Sequence, residues 1–437
     1  MGNASPASDL YLYAYPLLLV DATQTWLATG QSPEGLRVPV GRLAHARELP
    51  DDACDSGAFP NPDTLASMAF VDLGDEPVVL SLPNTHGRHF TMSICDAWSH
   101  IVAASGGSSP GATAEHFAIV GPDWRGALPV GLTRIDSPTN DAWIAGRIQS
   151  GGGDDQPFVH SIQDRIGLAP LSAWTMDNDP TSQTRVDLPI DPAIAAIDRL
   201  ARMPVEQYWT RFAELLKRNP PAACDAPIVA RLAASGIVPS ESLDWWGLST
   251  EQRERLLVAM LDGIAEVDKL GGIPSLQIEN TWAVAYDLGR CGANYRVRAS
   301  AARMGLGANL ARDEIEFIGR VDHESELLTG RHAYVMHFDY DELPPVRSFW
   351  SLTMYNERRL FVSNPIDRFA IGDRDPLVYD DDGSLDISIQ NGHPGADRGP
   401  NWLPAPAGSF SLVLRLYRPN QSILEGTWVP PRVTRIG

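Results

Sequence analysis

Cysteine is scarce in this chain. Only Cys54, Cys95, Cys224 and Cys291 occur among 437 residues, far apart and with no CxxC pair. Such spacing does not make a zinc-binding or dithiol motif, and a core of this size does not need disulfides. The expectation is four buried or incidental thiols in a reducing compartment. The apolar stretch from Leu10 to Val20 is short and interrupted by Tyr11, Tyr13, Tyr15 and Pro16, so it does not span a bilayer. The residues before Asp9 lack the basic region of a secretory signal, and Pro6 stands where a myristoylation signal needs Ser or Thr. A cytoplasmic location follows by elimination. Clusters of Lys and Arg are missing too, and the formal net charge of −20 repels phosphate backbones, which excludes nucleic acid as an expected partner.

Several catalytic signatures are also missing. The chain has no GxSxG elbow, Walker loop, HExxH or zinc-spaced cysteines. Gly305-x-Gly307 follows a helical rather than a strand pattern, so it is not a dinucleotide fingerprint. No HxH or HxxxH spacing anchors a histidine metal site. The expected chemistry uses no organic cofactor and no metal.

What is present reads as a folded, β-rich protein. Apolar residues make up 43% and charged residues 21%, and the 37 Gly and 35 Pro are scattered between short apolar runs. The length calls for two or three domains. Residues 9–30 read as a helix, with Asp9 able to cap it and Pro16 expected to kink or end its first half. From 58 to 190, runs such as Pro77–Leu82, Phe90–Ile94 and Phe117–Val120 alternate with turn residues, as in an antiparallel sandwich or barrel. Residues 190–272 are helical in texture: Ser249 and Gln252 form a capping-box pattern, and Gly271-Gly272 supplies a stop. Beyond 280 the strands return in Tyr334–Phe338, Phe349–Tyr355, Leu385–Gln390 and Phe410–Tyr417. The division is therefore 1–190, 191–278 and 279–437.

Ordered phrases over nearly the whole chain carry a family resemblance. The first β region has Ala14-Tyr15-Pro16, Pro60-Asn61-Pro62-Asp63-Thr64-Leu65, Pro77-Val78-Val79-Leu80, Asp96-Ala97-Trp98, Ser137-Pro138-Thr139-Asn140 and Gly146-Arg147. The second has Gly305-Leu306-Gly307-Ala308-Asn309, Leu343-Pro344-Pro345-Val346, Phe349–Tyr355, Asn401–Pro406 and Arg415-Leu416-Tyr417. The chain resembles the bacterial family that pairs domain of unknown function 1254 with domain of unknown function 1214. The resemblance implies a mainly β fold with a helical middle segment, two jelly-roll-like antiparallel β domains, and homo-oligomers. The sequence departs from the family pattern at Ala66, where the family usually carries a tyrosine, at His89, which takes the place of one of an aromatic pair, and at His100, which stands at a polar position after Trp98-Ser99.

Four groups of residues are candidates for chemistry. Asn61, Asp63 and Thr64 form a dense polar cluster in which Asp63 suits a general base and Asn61 a substrate clamp, although turn chemistry explains the same residues. Asp96, Trp98 and His100 share one face if a single strand carries them all, giving an acid–base pair against an aromatic wall. An Asp96 tied to Arg88 or Arg147 is the structural alternative. His89 is a second candidate acid, and Arg147 a carboxylate clamp. In the second β region Trp350 is a candidate contact for substrate, though core packing accounts for most such aromatics. The leading expectation is a cofactor-independent acid–base enzyme (hydrolase, lyase or isomerase) acting on a small, fairly apolar molecule in a β-domain cavity. The rival is a non-catalytic oligomeric binding or scaffold protein with its interface around Trp350 and Trp402.

Overall fold

The apolar run near the amino terminus becomes the buried axis of a helical layer. The computed structural model describes residues 7–29, 37–53, 59–107, 114–176, 186–187, 193–269, 277–307 and 309–436. Met1–Pro6, Cys54, Ala308 and the Gly271-Gly272 stop lie outside them. Helix α1 (Ser8–Thr29) is apolar on all sides from Leu10 to Val20 and is buried there, as a helical stretch without a polar face must be. It continues through Pro16 instead of ending there. The lost hydrogen bond is offset by burial against the helices packed around it.

The chain divides into two compact units: Met1–Arg47, Leu65–Pro274 and Leu288–Ala308 form the first, and Glu48–Thr64, Ser275–Asp287 and Asn309–Gly437 the second. In the first unit α1 packs against α3 (Ala193–Ala201), α4 (Val205–Arg218), α5 (Ala226–Ala234), α6 (Thr250–Lys269) and α7 (Tyr295–Met304), while α2 (Gln156–Gln163) accompanies the strands. Ser249 and Gln252 cap α6 reciprocally, backbone N–H to side-chain oxygen at 3.0 and 3.2 Å. Where α1 and α6 cross, a Cβ on Gly263 would stand 2.3 Å from the Tyr11 side chain. Gly263→Ala should therefore destabilise the protein by about 1–3 kcal/mol despite its better helix propensity. Urea unfolding checks this, and a neutral or stabilising result would contradict the close crossing.

Among the described residues, ten strands lie wholly or, for β2, all but its first residue in the first unit: β1 (Ala44–His45), β2 (Thr64–Asp72), β3 (Val78–Leu82), β4 (Phe90–Asp96), β5 (Ile101–Gly107), β6 (Glu115–Val120), β7 (Thr133–Asp136), β8 (Asp141–Gln149), β9 (Gly167–Pro170) and β10 (Val186–Asp187). They form two sheets, ordered β10-β1-β2-β8-β4-β5 and β7-β6-β3-β9. The second unit has β11 (Gln277–Glu279), β12 (Trp282–Val284), β13 (Glu314–Gly319), β14 (Tyr334–Phe338), β15 (Trp350–Asn356), β16 (Ala370–Gly372), β17 (Leu385–Gln390), β18 (Trp402–Pro404), β19 (Phe410–Tyr417) and β20 (Val433–Arg435). These also make two sheets, β11-β12-β13-β19-β15-β16 and β18-β17-β14-β20. Phe317, Leu352 and Leu414 of one sheet share a core with Met336 and Ile387 of the other, so alternation along each strand fills a sandwich.

The fold is mainly β with a helical middle segment. The sheets are mixed and not purely antiparallel, because β1–β10, β6–β7 and β17–β18 pair in parallel. The parallel partners β7, β10 and β18 are short strands at sheet edges.

Candidate functional site

The best-formed candidate lies in the first unit, at the turn that follows β4. The expected continuous strand through Asp96, Trp98 and His100 does not form, because Asp96 stops it. Its Oδ1 accepts from the backbone N–H of Trp98 at 2.8 Å and of His100 at 2.9 Å. With Ser99 at a φ of 64°, the chain reverses and enters β5. The two side chains thus meet at a turn instead of along one strand face. His100 Nδ1 lies 3.7 Å from Asp96 Oδ2, and its Nε2 is buried with no hydrogen-bond partner among the described residues. The structural alternative for Asp96 is not realised either: Arg88 forms a fork with Asp155 at 2.6 and 2.8 Å.

Opposite this turn stands α7, capped by Asn294, whose side chain accepts from the N–H of Val297. Arg298, Ala301, Ala302 and Gly305 recur at helical spacing and present one wall. The segment before α7 is tied to β5: Ile101 N–H donates to Gly289 O at 2.9 Å, and Arg290 Nε donates to Ile101 O at 3.2 Å. Arg298 is almost fully buried. It pairs with the equally buried Asp225 at 2.9 and 3.4 Å, and its guanidinium lies 5.5–5.6 Å from the ring centres of Tyr13, Trp98 and Tyr295. Burial raises the Tyr13 hydroxyl pKa, and the Asp225 carboxylate raises it further.

Between turn and helix is a pocket of about 290 Å³ including its open mouth, lined by Trp98, His100, Gly289, Cys291, Arg298 and Gly305 among others. Its enclosed part has room for about one water molecule. Besides His100 Nε2, the indole Nε1 of Trp98 and the Nε of Arg298 are buried without a partner among the described residues. Three buried polar atoms without a partner among the described residues thus belong to residues that line one pocket, whereas interiors satisfy nearly all such groups.

Asp63, Asn61 and Thr64 belong to the second unit, whereas Asp96, His89, Trp98, His100 and Arg147 belong to the first. The segment Phe59–Asp63 runs over the face of the β13-β19-β15 sheet opposite the sandwich core. Asp63 Oδ1 pairs with Arg374, and its Oδ2 accepts from Ser351 Oγ at 2.5 Å and Tyr417 OH at 3.1 Å. Asn61 donates to Tyr417 OH at 3.0 Å and accepts from the Asp63 N–H at 2.8 Å. Beside them Arg415, 1% exposed, donates to Glu316, Thr353, Tyr355 and the carbonyl of Phe59. This carboxylate is fully engaged in holding its segment. Thr64 is buried beside it, its hydroxyl without a partner among the described residues.

Trp350 and Trp402 are 3% and 2% exposed inside the second unit and offer no outward surface for an interface. His89 is buried in the first unit, and its carbonyl accepts from the N–H of Gln149. Arg147 stands opposite Thr91 on the β4–β8 ladder and is half-buried. Among the described residues, no group of three or more His, Cys, Asp or Glu is placed to hold a metal ion. No helix among them is long and apolar enough to cross a membrane. Sequence reading missed Arg298, Asp225, Tyr13 and Tyr295. Local pattern does not single out Arg298, because the same helix also carries Arg296 and Arg303, and its partner lies 73 residues away.

Comparison with known proteins agrees with this architecture. Residues 40–170 match the family described as Protein of unknown function (DUF1254), and residues 313–421 match Protein of unknown function (DUF1214). The crystal structure of the VPA0106 protein from Vibrio parahaemolyticus is similar over 99% of both chains, with a TM-score of 0.71 at 22% identity. A putative uncharacterized protein from Burkholderia cenocepacia covers 98% of this chain and 88% of its own, at 11% identity and a TM-score of 0.47. No curated protein matches the chain. The chain belongs to the family in which a DUF1254 domain is followed by a DUF1214 domain.

Proposed function

We propose that this protein is a cofactor-independent acid–base enzyme that acts on a small, fairly apolar molecule at the pocket between the Asp96–His100 turn and α7. One observation carries the reading: His100 lines the pocket with an unpaired, buried Nε2, while its Nδ1 side faces Asp96. A carboxylate beside Nδ1 favours the tautomer with its proton there, which leaves Nε2 free to accept a proton and return it. The 3.7 Å separation is longer than a hydrogen bond, and catalytic contacts of this kind tighten when substrate closes a site. Asp96 is thus the orienting group and His100 the proton carrier, with Trp98 as the aromatic wall. The lining of Ala301, Ala302, Gly289 and Gly305 suits an apolar substrate body. The net charge of −20 argues for a small-molecule substrate and against nucleic acid, and the sequence argues for a cytoplasmic setting.

Purified protein should be screened against small esters, lactones, ketones and hydroxy compounds for hydrolysis, elimination or isomerisation. His100→Ala should lower the rate found by about 10²–10⁴-fold, the usual worth of a general acid–base group. A rate unchanged in that variant would end the assignment.

The second reading, a non-catalytic oligomeric binding or scaffold protein, draws support from two observations. Asp63 is wholly engaged in structural bonds, and Trp246, Leu257, Val258 and Leu261 leave an exposed apolar area at and before α6. On this reading Leu257→Glu/Leu261→Glu should reduce the assembled mass seen by light scattering, and His100→Ala should change nothing measurable.

A further inference from the structure

Resting on the acid–base reading of this pocket, we propose that its ligand is a small neutral carbonyl compound, whose oxygen accepts hydrogen bonds from Trp98 Nε1 and Arg298 Nε. An indole N–H and a guanidinium N–H can only donate. Both are on pocket-lining residues that are 3% exposed, and both are unpaired among the described residues. A buried donor without an acceptor is costly, so the group completing the site must bring lone pairs. A cation brings none. The aromatic surround of Tyr13, Trp98 and Tyr295 is of the kind that attracts cations, but the guanidinium of Arg298 already occupies it.

Charge then separates an anion from a neutral acceptor. The positive charge of Arg298 is matched by Asp225, and Asp96 adds a second carboxylate beside the lining residue His100. The formal sum over these groups is negative, so a carboxylate ligand would meet net repulsion, whereas a carbonyl dipole would not. Size agrees with this choice. The enclosed space takes a group about as large as a water molecule, and among the described residues, its own chain neighbours apart, nothing lies within 4 Å of where a Cβ on Gly305 would stand. A carbonyl head can enter while the remainder of the molecule lies toward the mouth.

The arrangement also defines a proton transfer. His100 Nε2 removes a proton from the carbon next to the carbonyl, and the C–H pair moves into the new C=C bond. The carbonyl π pair goes to the oxygen, which Trp98 and Arg298 stabilise as it gains charge. Return of the proton from Nε2 to carbon restores the neutral imidazole. No oxidant or co-reactant is needed.

Three molecules of similar size separate the alternatives: acetone, acetate and isopropylammonium, titrated into the full chain and followed by NMR. The Trp98 indole N–H resonance should shift with acetone and not with the other two. Trp98→Phe, which keeps a ring against Tyr13, should weaken acetone binding by about tenfold, the equivalent of one hydrogen bond. Its urea unfolding curve shows whether it is folded, and the indole shift in the unaltered chain does not depend on the variant. Equal or tighter binding of acetate or isopropylammonium overturns the inference, as does an acetone titration that leaves the indole signal unmoved. The catalytic reading fails separately. If acetone binds as expected but its methyl protons exchange with deuterium no faster with the protein than with His100→Gln, the carbonyl pocket stands and the acid–base role falls.

Discussion

Arg298→Met should lower the stability of the protein by about 3–5 kcal/mol, because it strands the Asp225 carboxylate in the interior without a counter-charge. Asp225 is 0% exposed and the Arg298 side chain 2% exposed, so neither water nor salt can replace the lost partner. The loss includes more than charge, since the guanidinium packs against three aromatic rings. Urea unfolding followed by circular dichroism measures it. The double variant Arg298→Met/Asp225→Leu should recover much of the loss, since apolar replacement of a whole buried pair is often neutral or better. If the single variant costs less than about 1 kcal/mol, the pair is not the buried, dry contact described. If the double variant is worse than the single one, packing and not charge holds α7 in place. The result bears directly on function, because the Arg298 that forms this pair also lines the pocket.

Asp63→Ala should produce the second large effect, a loss of about 2–4 kcal/mol. The carboxylate receives bonds from Arg374, Ser351 and Tyr417, and Asn61 bridges Tyr417 to the Asp63 backbone. Removing it takes one acceptor from two buried hydroxyls and one half-buried guanidinium at once. The Phe59–Asp63 segment should loosen, which hydrogen exchange would report as faster exchange at the N–H of Phe59, now bonded to Arg359 O. Any catalytic rate, corrected for the folded fraction, should be unchanged. A rate that fell by 10² or more in a fully folded Asp63→Ala protein would return the catalytic role to this residue. Asp63 and His100 thus make opposite predictions, one a stability defect and the other a rate defect.

Much of the architecture was legible because it is written in local patterns. The alternation in Phe349–Tyr355 and Phe410–Tyr417 marks strands that put Leu352, Leu412 and Leu414 into the core and Thr353, Arg415 and Tyr417 on the opposite face. Ser249 and Gln252 announced the start of α6, and both capping bonds are present. The ordered phrases of the two domains ran far enough along the chain to identify the family. Local pattern failed at Asp96: its carboxylate captured the backbone of Trp98 and His100 and made a turn where a strand was expected. Polar side chains compete with the sheet ladder for backbone N–H groups, and spacing alone does not say which wins.

From the sequence alone came the β-rich class with its helical middle, the family, the exclusion of nucleotide motifs, and the small set of polar residues that included Asp96, Trp98 and His100. Tertiary structure alone decided which of those residues meet a pocket and which are bound into the fold. The partners that decide it are remote in the chain: Arg298 and Asp225 are 73 residues apart, Tyr417 and Asp63 are 354 apart. A carboxylate reads the same in sequence whether its oxygens end on donors or stand beside an open cavity. Its chemistry depends on what the folded chain brings within about 3 Å of it, and that follows from long-range packing, which leaves no period or spacing in the sequence.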